Sequence, residues 1–335
     1  MNVRKQSMKH DLAKLSYRIT LAFAALALTF VASAADFPSR PIRIVVPSTP
    51  SGGLDVLARI LSPKLTEKWG QPIVIENRPG AGGIIGNDVV AKATPDGHTL
   101  LVVAAGFAAQ PFLYKLPYEM PGDFAPVTII GDAPNVLVVH PSLPVRSAKE
   151  LIALAKQRPG ELAYASSGVG TSGHLGMALL ERMAGIKLVH VPYKGSGAAT
   201  AAVVSGETPM LFTATAAVQP HVKSGRLRAL AVTSAKRWPS MPEVPTMAEA
   251  AVPGFEVAGW YAMLAPGKTP KATVNRIYTD LIEILKQPET HARIEAAGFL
   301  VNGLTPDAFG RLIERDMKKW GTVIREAGIK ATDTN

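Results

Sequence analysis

RPIRIVVPSTPSGGLDVLARILSPKLTEKW, residues 40–69, is the passage on which the fold turns. Ile42 to Val46 is a short β-branched run, the mark of a buried strand. PSTPSGGLD, Pro47 to Asp55, follows as a loop. Leu54, Leu57, Ala58, Leu61, Leu65 and Trp69 then recur at helical spacing on one face, with Pro63 placed to kink the helix. Strand, glycine-rich turn and amphipathic helix in that order open a βα unit. Gly52 and Gly53 let backbone amides approach a bound group, and the helix aims its positive end at the same spot.

Downstream the alternation continues through Ile73 to Glu76, Ile84 to Ala93 and Leu100 to Ala104, which predicts parallel βαβ units. Ser147 and Glu150 form a capping box that opens a helix to Lys156. Leu162 to Ala165, His174 to Ala184, Leu188 to Val191 and Ala198 to Ser205 extend the series, and strands near 209–213 and 228–233 complete a second α/β unit. In the C-terminal part, Thr269-Pro270 and Thr305-Pro306 read as N-cap and first-turn pairs opening two helices. The last helix places Phe309, Leu312, Ile313, Met317, Trp320 and Ile324 at helical spacing, a stripe that packs as core against the first unit.

These patterns predict an α/β chain of two domains, residues 36–136 with 260–335 and residues 137–259. Ala133 to His140 and Glu256 to Ala262 serve as paired hinge strands, with a ligand cleft between the domains. No internal repeat is visible.

Upstream, residues 1–35 have the order of a signal peptide. Arg4, Lys5, Lys9, Lys14 and Arg18 form a basic leader, Ile19 to Val31 is uncharged and apolar, and Ala32-Ser33-Ala34-Ala35 supplies small residues for cleavage after Ala34 or Ala35. The run is short for a retained membrane anchor. Periplasmic export is therefore expected. Removing residues 1–35 takes five of the 36 basic and one of the 26 acidic residues, leaving a net charge of +6.

The remaining cations are scattered, without basic runs or aromatic interleaving, which argues against nucleic acid as a partner. With no cysteine in the chain, disulfides, thiolate metal sites and N-terminal lipidation are excluded, and the seven histidines show no metal-ligand spacing. No cofactor or metal is expected.

Three Gly/Ser-rich loops follow strand-like runs and precede helices: Pro47 to Asp55, SSGVGTSGH from Ser166 to His174, and PYKGSG from Pro192 to Gly197. Each alone reads equally well as a turn. Three of one kind, in both units, point to ligand binding, because in open α/β sheets such loops gather where ligands sit. Helix N-termini with nearby hydroxyls, such as that of Ser172, suit a carboxylate. Two other readings are weaker. Gly168, Gly170 and Gly173 spell the dinucleotide fingerprint, but the following strand ends without an acidic residue for a ribose. Ser172 beside His174 invites a hydrolase reading, yet no nucleophile elbow surrounds it; His174 is read as capping or opening its helix. Asn77 and Arg78, in the glycine-dense ENRPGAGGIIG segment, are read as bracing the chain.

RPIRIVVP (40–47), GQPIVIENRPGAGGIIG (70–86), TPDGHTLL (94–101), YASSGVGTSGHL (164–175), HVPYKGSG (190–197), GRLRALAVTS (225–234) and PEVPTMAEA (242–250) resemble, in order and across the mature chain, the Bug-type, TctC-like substrate-binding receptors of tripartite tricarboxylate transporters. The resemblance implies a periplasmic-binding-protein-like type II fold that holds carboxylates by loop amides, hydroxyls and bridging waters, with membrane permease subunits as partners and a monomeric receptor. By position, Gly52, Gly53 and Asp55 match the family's first binding loop, Ser167, Gly168, Thr171 and His174 its second, and Tyr193, Lys194 and Gly195 its third.

Two departures stand out. Ser48, Thr49 and Ser51 replace an aromatic wall with hydroxyls, which makes the pocket more polar or roomier, and Thr208-Pro209 stands where the family has a Val-Asp pair. The function implied is a non-enzymatic receptor for a small carboxylate. A ligand-sensing periplasmic partner of a two-component system is the alternative, and a periplasmic hydrolase is a third.

Overall fold

The structure, a computed structural model, describes residues 37–193, 195–257 and 259–330. The expected leader lies outside them. From Arg40 onward the chain is one compact unit organised by two mixed sheets. The first contains β1 (Ile42–Val46), β2 (Ile73–Asn77), β3 (Thr99–Ala104), β4 (Phe124–Asp132), β10 (Trp260–Pro266) and β11 (Leu300–Val301), in the order β11-β4-β10-β3-β1-β2. The second contains β5 (Asn135–Val139), β6 (Ala163–Ser166), β7 (Val189–Pro192), β8 (Met210–Ala214) and β9 (Arg228–Val232), in the order β7-β6-β8-β5-β9.

Both sheets follow one plan. β1 pairs in parallel with β2 and β3, as β6 does with β7 and β8. Next to the third parallel strand, each sheet accepts an antiparallel strand delivered from the other half of the chain: β10 beside β3, and β5 beside β8. Each sheet therefore contributes a strand entry to the other. This equivalence left no trace as a sequence repeat, because it lies in connectivity and not in residue type.

The long helices are α1 (Gly53–Trp69), α2 (Ile84–Ala91), α3 (Ala148–Gln157), α4 (Ser172–Ala184), α5 (Ser196–Val204), α6 (Thr215–Lys223), α7 (Lys271–Leu285), α8 (Pro288–Ala296) and α9 (Pro306–Ala327). α1 is continuous through Pro63 and buries Leu57, Ala58, Leu61, Leu65 and Trp69, the face its spacing predicted; it ends at Gly70, whose left-handed φ of 64° lets its N–H donate to the Thr66 carbonyl.

Three capping expectations met different fates. Thr305 accepts the Ala308 N–H as read. Ser147 accepts the Glu150 N–H, but the Glu150 carboxylate accepts from the Arg146 N–H at 2.6 Å, so the box is open; a complete box forms instead at Thr246 and Glu249. Thr269 does not cap α7: Pro270 holds that position and the buried Thr269 hydroxyl has no hydrogen-bond partner among the described residues.

α9 carries its apolar stripe onto the first sheet, with Phe309, Ile313, Trp320 and Ile324 buried. It also reaches further than the stripe implied. Its 22 residues span about 33 Å, enough to pack along β4 and then against α4 of the other sheet, where Glu326 pairs with Arg182. The Trp260 indole donates to Asp316 on α9 at 2.8 Å in the buried interior. One apolar cluster accordingly runs from Leu101 and Val103 through Ala262 and Phe309 to Leu137, Tyr164 and Phe212.

The chain crosses between sheets at 133–135 and 257–259, within the two stretches expected to pair. The Ala133 N–H donates to the Gly259 carbonyl at 2.8 Å. Buried Thr233 clips both crossings: its hydroxyl accepts from the Asn135 N–H at 3.0 Å and donates to the Val257 carbonyl at 3.2 Å.

Candidate functional site

A cavity of about 270 Å³ opens where the strand ends and crossings meet. From the first sheet's side its walls are Pro47 and Leu54, Gly82 and Gly83, Asn87, and the turn from Ala104 to Phe107. Gln110, Leu113 and Tyr114 continue that side; Asn135, Gly259, Trp260 and Tyr261 form the crossing wall, and Val169 to Ser172 the wall from the second sheet. Among the described residues, no lining side chain is Lys, Arg, His, Asp or Glu.

What the cavity offers instead is backbone. α1 begins at Leu54's turn, α2 at Gly82-Gly83, and α4 at Thr171-Ser172, and none of the three has a side-chain cap at its N-cap residue, Gly52, Gly83 or Thr171. At α1 and α4 the first amides are left without intrahelical partners, and each start carries roughly half a positive charge. At α2 a 3₁₀ turn, Ala81–Gly83, leads into the helix, and the Gly83 and Ile84 N–H groups donate to the Gly80 and Ala81 carbonyls.

The first loop is braced from behind. Asp55 is 2% exposed and accepts from the Ser51 N–H, Arg59 Nε and Asn77 Nδ2, all within 2.9 Å. Above all, the Arg59 hydrogen bond holds its carboxyl down, to about 2. Asn77 also donates to the Ser48 carbonyl, so its predicted bracing role acts on this loop. Asp55 is thus a support, and it does not line the cavity; Ser48, Thr49, Ser51, Gly52 and Gly53 are likewise absent from the walls, which the loop reaches through Pro47 and Leu54.

The second loop is wound by glycine and hydroxyl contacts. Gly168 and Gly170 take φ of 131° and 76°, conformations that side chains resist. The Thr171 hydroxyl donates to the Gly168 carbonyl at 2.8 Å, and the Gly170 N–H donates to His174 Nδ1 at 3.1 Å. The His174 ring stacks on His190 with centroids 3.9 Å apart. Thr171 and Ser172 line the cavity, whereas Ser167, Gly168 and His174 stand outside its walls. Gly173 is demanded by packing, since a Cβ there would lie 2.4 Å from the Phe212 carbonyl oxygen.

Of the third loop's described residues, neither Tyr193 nor Gly195 lines the cavity. The Tyr193 hydroxyl is engaged with Glu207 at 2.9 Å and Thr208 at 2.8 Å, Gly195 turns with a φ of 101°, and Lys194 lies outside the described residues.

Sequence reasoning passed over Gly82, Gly83, Asn87, Gln110, Tyr114, Asn135 and Tyr261. The glycines had a signal in ENRPGAGGIIG. Gly86 approaches so closely that a Cβ would lie 2.8 Å from Pro47 Cβ, which seats the start of α2 against the first loop. The seat is fixed further by a buried amide network: Asn87 Nδ2 donates to Gln110 Oε1 at 2.9 Å and Gln110 Nε2 donates to the Gly82 carbonyl at 2.8 Å.

Gly259 and Trp260 also line a second cavity, of about 550 Å³, with Lys236, Arg311, Asp132 and Glu256 among its walls. Though larger, it receives none of the three helix starts.

Comparison with known proteins finds both sequence relatives and solved structures similar to this chain. The family model for the tripartite tricarboxylate transporter family receptor matches residues 57–329. A UPF0065 protein from the tcbD-tcbE intergenic region of Pseudomonas sp. (strain P51) is 40% identical over 327 residues, 96% of this chain and 97% of that one. Among solved structures, R. palustris Rpa4515 with adipate is 38% identical with a TM-score of 0.78, covering 88% of this chain and 99% of that one. The periplasmic binding protein BugD is 34% identical with a TM-score of 0.75, covering 88% and 100%. MatC from Rhodopseudomonas palustris with bound malate is 31% identical with a TM-score of 0.75, covering 86% and 100%.

Proposed function

We propose that this chain, which belongs to the tripartite tricarboxylate transporter receptor family, captures a small carboxylate in the cavity between its two sheets, closes on it, and delivers it unchanged to membrane permease subunits. Relatives in this family are solute-binding receptors, and two of them were solved with adipate and with malate. The observation that carries the reading here is the cavity ringed by three helix starts that lack a side-chain cap, with no charged side chain among its described lining residues. An anion buried without compensation is costly. Oriented amides compensate it without a fixed counter-charge that would slow release.

The two lobes of this receptor are residues 36–136 with 260–335 and residues 137–259. The crossings at 133–135 and 257–259 form the hinge between them, and contacts from both sides favour the closed state when a solute is present. The leader directs export to the periplasm and is removed near Ala34 or Ala35, so mass spectrometry of the exported protein is expected to find an N-terminus at Ala35 or Asp36.

A hydrolytic role has a specific feature against it. The Ser166 hydroxyl sits 2.6 Å from His190 Nε2, a spacing fit for a nucleophile and base, but Ser166 is completely buried and its oxygen is also held by the Gly168 backbone.

Thermal shift against mono-, di- and tricarboxylates tests the proposal. A true solute at ~100 times its dissociation constant adds about 2.7 kcal/mol of stability. No stabilisation by any carboxylate would remove the reading, and turnover of the solute would replace it with an enzymatic one.

A further inference from the structure

We propose that the phenol hydroxyls of Tyr114 and Tyr261 are ligand-contacting donors that serve two different acceptor groups of the solute, so that the cavity selects a molecule with two. The inference rests on the reading of this cavity as the solute site. Both rings line it. Neither hydroxyl makes a hydrogen bond to any described residue, whereas the hydroxyl of Tyr118, which meets the same amide network, donates to Gln110 Oε1 at 3.0 Å. A phenol that faces the cavity without a protein partner has its donor available to an acceptor group that enters, and a solute that left it unpaired on closure would forfeit that hydrogen bond.

The two hydroxyls sit at different helix starts. A Cβ built on Gly53, the first residue of α1, would lie 3.5 Å from the Tyr261 hydroxyl. A Cβ on Gly82, beside the start of α2, would lie 3.3 Å from the Tyr114 hydroxyl, and one on Gly170, at the approach to α4, 4.0 Å from it. Each phenol therefore reinforces a separate set of backbone donors. Burial raises the pKa of both, so each remains a donor across the physiological range. Tyr261 is held in place by an edge-on contact with Phe299, with centroids 4.8 Å apart. Its location beside Ala104 follows from the insertion of β10 next to β3.

The test compares Tyr114→Phe, Tyr261→Phe and the double variant by calorimetric titration. The probes are the tightest binder among succinate, malate, glutarate and adipate, and the straight-chain monocarboxylate of the same length. Phenylalanine keeps each ring, and ligand-free melting midpoints close to that of the parent establish that the fold is kept. Each single variant is expected to weaken the dicarboxylate about tenfold and the double variant about a hundredfold, as hydrogen bonds to charged acceptors imply. The monocarboxylate should lose affinity in only one of the two single variants. Unchanged dicarboxylate affinity in both variants overturns the inference, as does equal loss for the monocarboxylate in both. A parent protein that binds only monocarboxylates also overturns it while leaving the receptor reading intact, whereas a parent that binds no carboxylate removes both.

Discussion

The backbone of Ala133 meets that of Gly259 closely enough to exclude a side chain: the Ala133 N–H donates to the Gly259 carbonyl at 2.8 Å, and a Cβ on Gly259 would lie 1.9 Å from the Ala133 carbonyl oxygen. The contact pairs the two crossings, so a methyl group there wedges them apart. Gly259→Ala is expected to cost about 1–3 kcal/mol, the range for forced overpacking, read as a lowered melting midpoint. Gly197→Ala, in α5 where a Cβ would meet nothing within 4 Å, is the control and should be neutral or stabilising by up to about 1 kcal/mol. Equal midpoints for Gly259→Ala and the parent would show that the crossings yield freely.

Asp55 gives the first loop a pH signature. Its ordinary pKa of 3.8 is lowered to about 2 in the folded chain, chiefly by Arg59. A depressed folded value means the stabilisation is complete above the unfolded pKa and lost as pH falls through the folded one. It should therefore disappear between about pH 4 and pH 2, and amount to about 2 kcal/mol. Asp55→Asn is expected to be less stable than the parent at neutral pH, with the difference shrinking across that window. A difference that stays constant from pH 6 to pH 2 would contradict the brace.

Gly170 separates binding from folding. A Cβ at this position would lie 2.5 Å from Leu113 Cδ1, a residue carried by the opposite side of the cavity, and the φ of 76° adds strain of about 1–2 kcal/mol for any other residue. Gly170→Val should consequently lower solute affinity at least tenfold, while circular dichroism of the ligand-free protein remains that of the parent. Gly168→Val, at a φ of 131° but with no atom nearer than 3.9 Å, is expected to act through loop strain alone and so to have a smaller effect. A reversed order of the two would indicate that cross-cavity contact with Leu113 is unimportant.

Much of the fold was legible because periodicity records which face is buried. The stripe from Phe309 to Ile324 and the face from Leu57 to Trp69 are both buried as their spacing required. The stretches around Ala133 and Glu256 could be read as crossings because they are apolar, extended and placed where the α/β alternation breaks. The walls of the cavity were less legible. Tyr114 and Tyr261 are distant in the chain and share a cavity only because β10 inserts between β3 and β4. Position in a loop does not tell a residue's partners: Asp55 is engaged by Arg59 and Asn77, and Tyr193 by Glu207 and Thr208. Local sequence identifies a loop and its helix start, whereas partners supplied from elsewhere decide which side chains remain available.

A crystal structure of the protein with its best carboxylate from the thermal-shift panel tests the central claim most directly. The expected result places carboxylate oxygens within about 3 Å of backbone amides at the starts of α1, α2 or α4, inside the cavity walled by Leu54, Gly83, Thr171 and Tyr261. Density for the solute in the cavity lined by Lys236 and Arg311, with these helix starts untouched, would contradict it.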